Sequence, residues 1–419
     1  MNKRLFILVL FLFFFERNGI SQSLSLDSCQ AKAQKAYPLV RKYDLLESSK
    51  EYSLANAQKG YLPQVTLTGY STYQSEVFAL PFVIPGNEIE PLRNDQHNIY
   101  GEVVQPITGL FTQKNQKVLI DQSNEVENQR LEVDLYQIKD RVNQLYFGIL
   151  LNDEQIAQLE LLKKDIQTGI DKTEVAIANG IALRSSADIL TVELLKVDQR
   201  ISELQSNRKG FVQMLSLFIN EPIDENTKFE TPANEDPISL INRPELRLFE
   251  SQQRAIEAQS RLIANKTLPN FSLFFRGGVG APGLNMLDNS ASAYYITGLR
   301  LSWNISSFYT NNREKSILKL NQESVLVQKD AFLFNTNLSI SQQGVEIQKM
   351  KNLISSDNQI IQMRGRIKET TKNQLENGTA TANDYLTQLN AEDQARQTQI
   401  LHRIQLLLAQ YNHKIITGN

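Results

Sequence analysis

The sequence predicts a mainly α-helical chain with a small β portion, in which one long unit of helix, two strands and a coiled-coil α-hairpin is written twice. Two observations predict it. First, Pro38 and Pro244 stand 206 positions apart, as do Pro63 and Pro269, while Asn179-Gly180 and Asn377-Gly378 stand 198 apart. The surrounding residues match as well. Tyr37-Pro38-Leu39-Val40-Arg41 faces Arg243-Pro244-Glu245-Leu246-Arg247, and Leu62-Pro63-Gln64-Val65-Thr66-Leu67 faces Leu268-Pro269-Asn270-Phe271-Ser272-Leu273. A period this long is a tandem duplication of a whole unit rather than a solenoid repeat. The fall in offset gives the first copy about eight extra residues after the strand entry. Second, long proline-free stretches carry an apolar repeat of period 3.5, and shorter segments between the prolines alternate with period 2.

The elements follow in order. Met1-Asn2-Lys3-Arg4 precedes an apolar run from Leu5 to Phe15, then polar Glu16, Arg17 and Asn18 with small Gly19 and Ser21. That pattern predicts a signal peptide over residues 1–21 and an exported chain. The first repeat then spans 22–220, a linker 221–243, and the second repeat 244–419. Cys29 is the only cysteine, so no intrachain disulfide is expected; Leu26-Asp27-Ser28 before it does not suit lipid attachment, and it reads as an ordinary helix residue. A helix is expected from about Asp27 to Gly60, closed by Gly60 and Pro63. Val65 to Tyr73 is strand chemistry, rich in Thr and Tyr. A loop with Pro81, Pro85, Gly86 and Pro91 leads to a second strand, about His97 to Ile107. The second copy answers with strands at Phe271 to Val279 and Tyr294 to Ile305. In the last, Tyr295, Leu299, Leu301 and Trp303 share one face, and Gly298, Arg300 and Ser302 the other. One apolar and one polar face suit a wall between lipid and water, with Leu299, Leu301 and Trp303 facing lipid. The same alternation also occurs in a soluble sandwich.

Leu131, Leu135, Ile138, Val142, Leu145 and Ile149 recur at steps of four and three, a coiled-coil seam. Beyond Asn179-Gly180 the stepping returns in Leu190, Leu194, Val197, Ile201, Leu204, Phe211, Leu215 and Phe218, with Arg208 interrupting it. The second copy is weaker: Ile317, Leu320, Val327, Phe334 and Leu338 lead in, and Ile400, Ile404, Leu407, Tyr411 and Ile415 lead out. From Gln113 to Asn179, and again from Asn311 to Asn377, there is no proline, and a helix of that length extends about 100 Å. Such helices predict a rod or wall segment. The linker, with Pro222, Pro232, Pro237 and many acids, predicts little regular structure.

Composition narrows the function. The formal net charge of −2 and interleaved charges give no basic stripe for nucleic acid. After the leader no stretch approaches ~20 apolar residues, so membrane insertion would require strands. Four strands cannot close a barrel, since bacterial outer-membrane barrels start at about eight. Open edges are not tolerated in lipid, so a membrane role requires oligomerisation; two chains give eight strands and a filled barrel, and three give twelve and room for a lumen. No catalytic, cofactor or metal constellation stands out: of His97, His402 and His413, the last two lie eleven residues apart on one helix, about 16 Å along its axis. An enzyme is not expected.

These residues resemble the TolC-like outer-membrane efflux proteins over essentially the whole mature chain. The likeness rests on the duplicated plan, on Asn242-Arg243-Pro244-Glu245-Leu246, on the strand entries at Pro63 and Pro269, and on the two Asn-Gly pairs. The resemblance implies a homotrimer with a twelve-stranded outer-membrane barrel and a periplasmic α-barrel. Its tips, Asn179-Gly180 and Asn377-Gly378, would meet a periplasmic adaptor and an inner-membrane transporter. It also implies an acid beyond each tip glycine as gate or selectivity group, Asp384 in the second copy and Asp188, two residues further on, in the first, so that the first tip is expected to bulge. The alternative for Asp384 is a helix-start acid favoured by the dipole. Leu375 and Ala380 stand where the best-studied member has the Tyr and Arg of its closure, so those gating bonds are not expected here. The expected role is a passive exit duct. A protein-secretion duct and a non-conducting periplasmic coiled-coil spacer remain the alternatives.

Overall fold

The computed structural model describes residues 23–79, 90–235 and 238–419. The predicted leader 1–21, Pro81, Pro85 and Gly86 of the first strand loop, and Pro237 of the linker lie outside the described residues. The chain divides into two compact units, and each takes segments from both sequence repeats.

The first unit comprises Met1–Val40, Glu132–Pro244 and Phe332–Asn419. Its first helix, α1 (Leu26–Ala36), starts where the Ser25 hydroxyl accepts from Ser28 N at 3.4 Å. The single helix expected from Asp27 to Gly60 is in fact broken at its eleventh residue. Tyr37 is extended (φ −64, ψ 134), as a residue before proline must be, and Pro38–Arg41 form a 3-10 turn before α2 (Lys42–Lys59). Cys29 is fully buried in α1, and that burial pushes its thiol pKa up to about 11.

The proline-free run of the first copy folds as α3 (Gly109–Tyr136) and α4 (Ile138–Ala178). The interruption is slight: Gln137 keeps helical angles (φ −63, ψ −19) and its amide still bonds Val133 O at 3.3 Å. The predicted seam is the buried face, with Leu131, Leu135, Ile138, Val142 and Ile149 all 6% exposed or less. The hairpin returns as α5 (Arg184–Ile219), which buries Leu190, Val197, Ile201 and Leu215, and ends on Asn220 in the left-handed region (φ 53). In the linker Leu24 N bonds Lys228 O and Glu230 N bonds Leu24 O. The buried Tyr146 hydroxyl lies 2.6 Å from Leu24 O and 2.8 Å from Glu230 O, so a side chain of α4 ties the linker to the N-terminal segment.

The second unit comprises Arg41–Leu131 and Glu245–Ala331. It holds α2, most of α3, helix α6 (Pro244–Asn265) and one antiparallel sheet of β1 (Gln64–Tyr73), β2 (Asp95–Pro106), β3 (Asn270–Ala281) and β4 (Ser292–Ser302), in that order. Trp303 and Ile305, expected in the last strand, lie beyond it; the Trp303 indole donates to Thr267 O at 3.1 Å and its ring meets Phe308 edge-on. Residues 74–94 join β1 to β2, against 282–291 between β3 and β4, which is where the two copies differ in length.

The second copy's hairpin comprises α7 (Ser307–Glu376) and α8 (Ala382–Thr417). In α8 the expected Ile400, Ile404, Leu407, Tyr411 and Ile415 are buried. In α7 the expected seam is exposed instead: Ile317, Leu320, Val327, Phe334 and Leu338 are each 55% exposed or more, while Leu318, Val325, Ile347 and Met350 are buried. The helix carries two apolar faces, and the period picked out the one its own chain leaves uncovered.

Gly278 lies directly opposite Tyr100 of β2. A Cβ there would stand 2.7 Å from Tyr100 Cα and strike Ile99 O, neither of which can rotate away. Gly278→Ala should therefore destabilise the folded protein by about 1–3 kcal/mol, read as a lowered thermal midpoint in detergent; an unchanged midpoint would contradict this strand register.

Candidate functional site: two hairpin tips and an apolar sheet face

The tips are built by the same backbone rule in both copies. Helices α4 and α5 are joined by residues 179–183, and α7 and α8 by 377–381. Gly180 and Gly378 both adopt φ 72, a conformation that costs glycine little. Gly180 N bonds Ile177 O at 2.9 Å and Gly378 N bonds Leu375 O at 3.0 Å. The next amides, of Ile181 and Thr379, reach back to Ala176 O at 2.8 Å and Gln374 O at 2.9 Å. Each Asn also anchors its turn, Asn179 Nδ2 to Val175 O at 3.0 Å and Asn377 Nδ2 to Asn373 O at 2.8 Å. The expected bulge at the first tip is absent, because the two turns have equal length. Ser186, not Asp188, therefore stands at the position matching Asp384; Asp188 lies exposed further along α5.

The two turns differ in how the returning helix begins. Thr381 caps α8 in a capping box: its hydroxyl accepts from Asp384 N at 3.2 Å, and Asp384 Oδ2 accepts from Thr381 N at 2.9 Å and from Thr381 Oγ1 at 2.7 Å. These bonds, the hydroxyl's foremost, hold the Asp384 carboxyl below the usual aspartate range. At the matching position Leu183 has the same extended backbone but no side-chain cap, and it is 75% exposed beside Ile181 at 70%.

Behind the turns the hairpins pack on each other. Leu162, Ile166 and Ile170 of α4, Leu190 and Val197 of α5, and Tyr385, Leu386 and Leu389 of α8 form one buried cluster, with Leu375 partly buried against it. Lys172 pairs with Glu376, and Lys368 Nζ lies 2.8 Å from Glu392 Oε2 and 3.2 Å from Asp165 Oδ2. Burial alone would lower the Lys368 pKa; the hydrogen bond to Glu392 and the charge of Asp165 outweigh it and raise it. Asp393, held by Gln158 at 3.0 Å, is pushed up by burial. Periodicity gives no hint of the pairs of Lys172 with Glu376 and Lys368 with Asp165, because they join residues some 200 positions apart.

The sheet in the second unit presents two unlike faces. Odd-numbered strand residues share one: Val65, Leu67, Ile99, Val103, Leu273, Phe275, Val279, Tyr295, Leu299 and Leu301, between 37% and 77% exposed. Leu299 and Leu301 are on this face as expected; Trp303 lies outside the strand. The even face carries Thr66, Thr68, Asn98, Glu102, Arg276 and Arg300. Among the described residues β1 and β4 each pair on one side only.

Among the described residues no three metal-ligating side chains converge, and no helix is long and apolar enough to cross a membrane. His97 Nδ1 lies 2.9 Å from Ser71 Oγ, His402 Nδ1 lies 2.7 Å from Asp357 Oδ2, and His413 is buried, which lowers its pKa.

Thr381→Ala removes the cap and should cost about 1 kcal/mol, whereas Leu183→Ala should cost little by loss of capping. The depressed Asp384 carboxyl stabilises the folded state fully above the ordinary aspartate range, and this contribution fades as pH falls through its lowered pKa. Thermal midpoints of the wild type and Thr381→Ala should converge in acid; a gap that stays constant would contradict the capping box.

No protein-family model matches the chain, and no curated protein matches it by sequence. Solved structures do. The outer membrane protein VceC of Vibrio cholerae matches with a TM-score of 0.65 at 12% identity, covering 93% of this chain and 95% of that one. The CmeC outer membrane channel of Campylobacter jejuni gives 0.64 at 14%, covering 94% and 85%. The open MtrE outer membrane channel of Neisseria gonorrhoeae gives 0.65 at 13%, covering 94% and 89%. With its duplicated strand pairs and hairpins, the chain shares its fold with these solved outer-membrane proteins.

Proposed function

We propose that the chain is one protomer of a passive outer-membrane exit duct, carrying small molecules delivered by an inner-membrane pump through a periplasmic adaptor. Three copies set their sheets side by side as a twelve-stranded barrel, and their helical hairpins line the periplasmic part of the path. The observation that carries this reading is the exposed odd face of the sheet, whose two edges are unpaired among the described residues. An apolar face of this size in water would be a liability, and unpaired edges in lipid are not tolerated; closure among copies removes both problems. The exposed stripe on α7 fits the same assembly, since period-3.5 apolar residues seek a partner helix that their own chain does not supply. The solved channels with this fold are described as outer-membrane proteins, which agrees with the location proposed here.

In this reading the Asn179-Gly180 and Asn377-Gly378 turns face the adaptor. Exposed Ile181 and Leu183 give the first of them an apolar surface for it. Asp188 and Asp384, both exposed, place acidic charge near the entrance and bias it toward cations. Closure relies on the packing of Leu375 and on the pairs of Lys172 with Glu376 and Lys368 with Asp165, not on a tyrosine and arginine at the turn. The duct holds no cofactor and performs no chemistry; the pump supplies the energy.

Lysine on the lipid face of an outer-membrane barrel costs about 2–4 kcal/mol at the midplane. Leu299→Lys with Leu301→Lys should therefore remove the protein from the outer-membrane fraction, while Thr68→Lys on the even face should leave it there. Normal membrane recovery of the double variant would sink the duct and favour a periplasmic spacer.

A further inference from the structure

Resting on the duct reading, we propose that Glu102, Arg276 and Arg300 form an anion-selecting site on the polar face of the sheet, which favours carboxylate-, phosphate- or sulfate-bearing cargo in the barrel lumen. The register puts Glu102 of β2 directly opposite Arg276 of β3, and Arg300 of β4 opposite Ser272, four residues before Arg276 on the same strand. All three side chains therefore emerge on one face. Glu102 Oε1 accepts from Arg300 Nη2 at 2.6 Å and from Arg276 Nη2 at 3.1 Å. Its side chain is 13% exposed, against 30% for Arg276 and 41% for Arg300.

Charge count separates this from a structural ion pair. One arginine would neutralise Glu102, yet two converge on the same carboxylate oxygen, and Glu102 is the only acid on the even face of the four strands. One unit of positive charge is left over per chain, and three copies would ring the lumen with three. The arginines are also held in place by aromatics. The Arg276 guanidinium lies 4.3 Å from the Tyr100 ring centroid and that of Arg300 4.7 Å from Phe274, both on the same even face. Stacked in this way, a guanidinium is held flat, and its fork matches a carboxylate or phosphate. Glu102 keeps two like charges close together that would otherwise repel. The site lies in the half of the sheet nearest the strand ends that lead into helices, and its sign is opposite to that of the tip acids. The strands would thus sort cargo that the tips do not.

The test is the chloride-to-potassium permeability ratio of the purified full-length protein in planar bilayers under a KCl gradient. One unit charge about 7 Å from an ion in water changes its occupancy about threefold. Arg276→Gln with Arg300→Gln should lower the ratio by at least about threefold, Glu102→Gln should raise it, and Arg276→Lys with Arg300→Lys should keep it near wild type. If the glutamine pair does not insert, the Glu102→Gln arm decides alone. Conducting variants with the wild-type ratio would overturn the anion site and leave the duct standing. A wild-type protein that inserts but never conducts would overturn both.

Discussion

The constraint on which the rest of the structure depends is the unfinished sheet. Strands β1 to β4 satisfy one another's backbone groups in the interior, yet the outer sides of β1 and β4 have no partner among the described residues. The odd face they carry is apolar and exposed from Val65 to Leu301. An apolar exposed face is a liability in water and open edges are not tolerated in lipid, so on the proposed reading the sheet is a fraction of a larger barrel. The alternation that makes the odd face apolar also makes the even face polar, and the Glu102 cluster can exist only because of that division.

The hairpin tips show how a duplicated sequence preserves backbone geometry while side chains diverge. Glycine at φ 72, an asparagine bonding the carbonyl four residues back, and two reaching amides recur in both turns with hydrogen bonds that agree within a few tenths of an ångström. One copy then caps its helix with Thr381 and Asp384, and the other exposes Leu183. The first choice serves the hairpin's own stability, and the second leaves an apolar surface exposed.

Much of this was legible in the residues. The proline and Asn-Gly spacings marked the duplication, and the seams of α4, α5 and α8 were read from their period, because local repetition decides which helix face is buried. What was not legible involved choices between equivalent local signals. Period located an apolar stripe on α7 but not that its own chain would leave that stripe uncovered. Counting from Gly180 to the next aspartate suggested a longer first turn, although Ser186 is the matching residue and the loop lengths are equal. Proline at 38 was read as a mark of the repeat, and its effect on Tyr37, which splits the first helix, was missed. The pairing of Glu102 with Arg276 and Arg300 depends on strand register across about 200 residues, which no local pattern encodes.

The native mass of the protein extracted from the outer-membrane fraction in mild detergent tests the central claim most directly. The account predicts three copies of the chain in one particle, the number that closes a sheet of four strands at twelve. A soluble monomer recovered from the periplasm would contradict it.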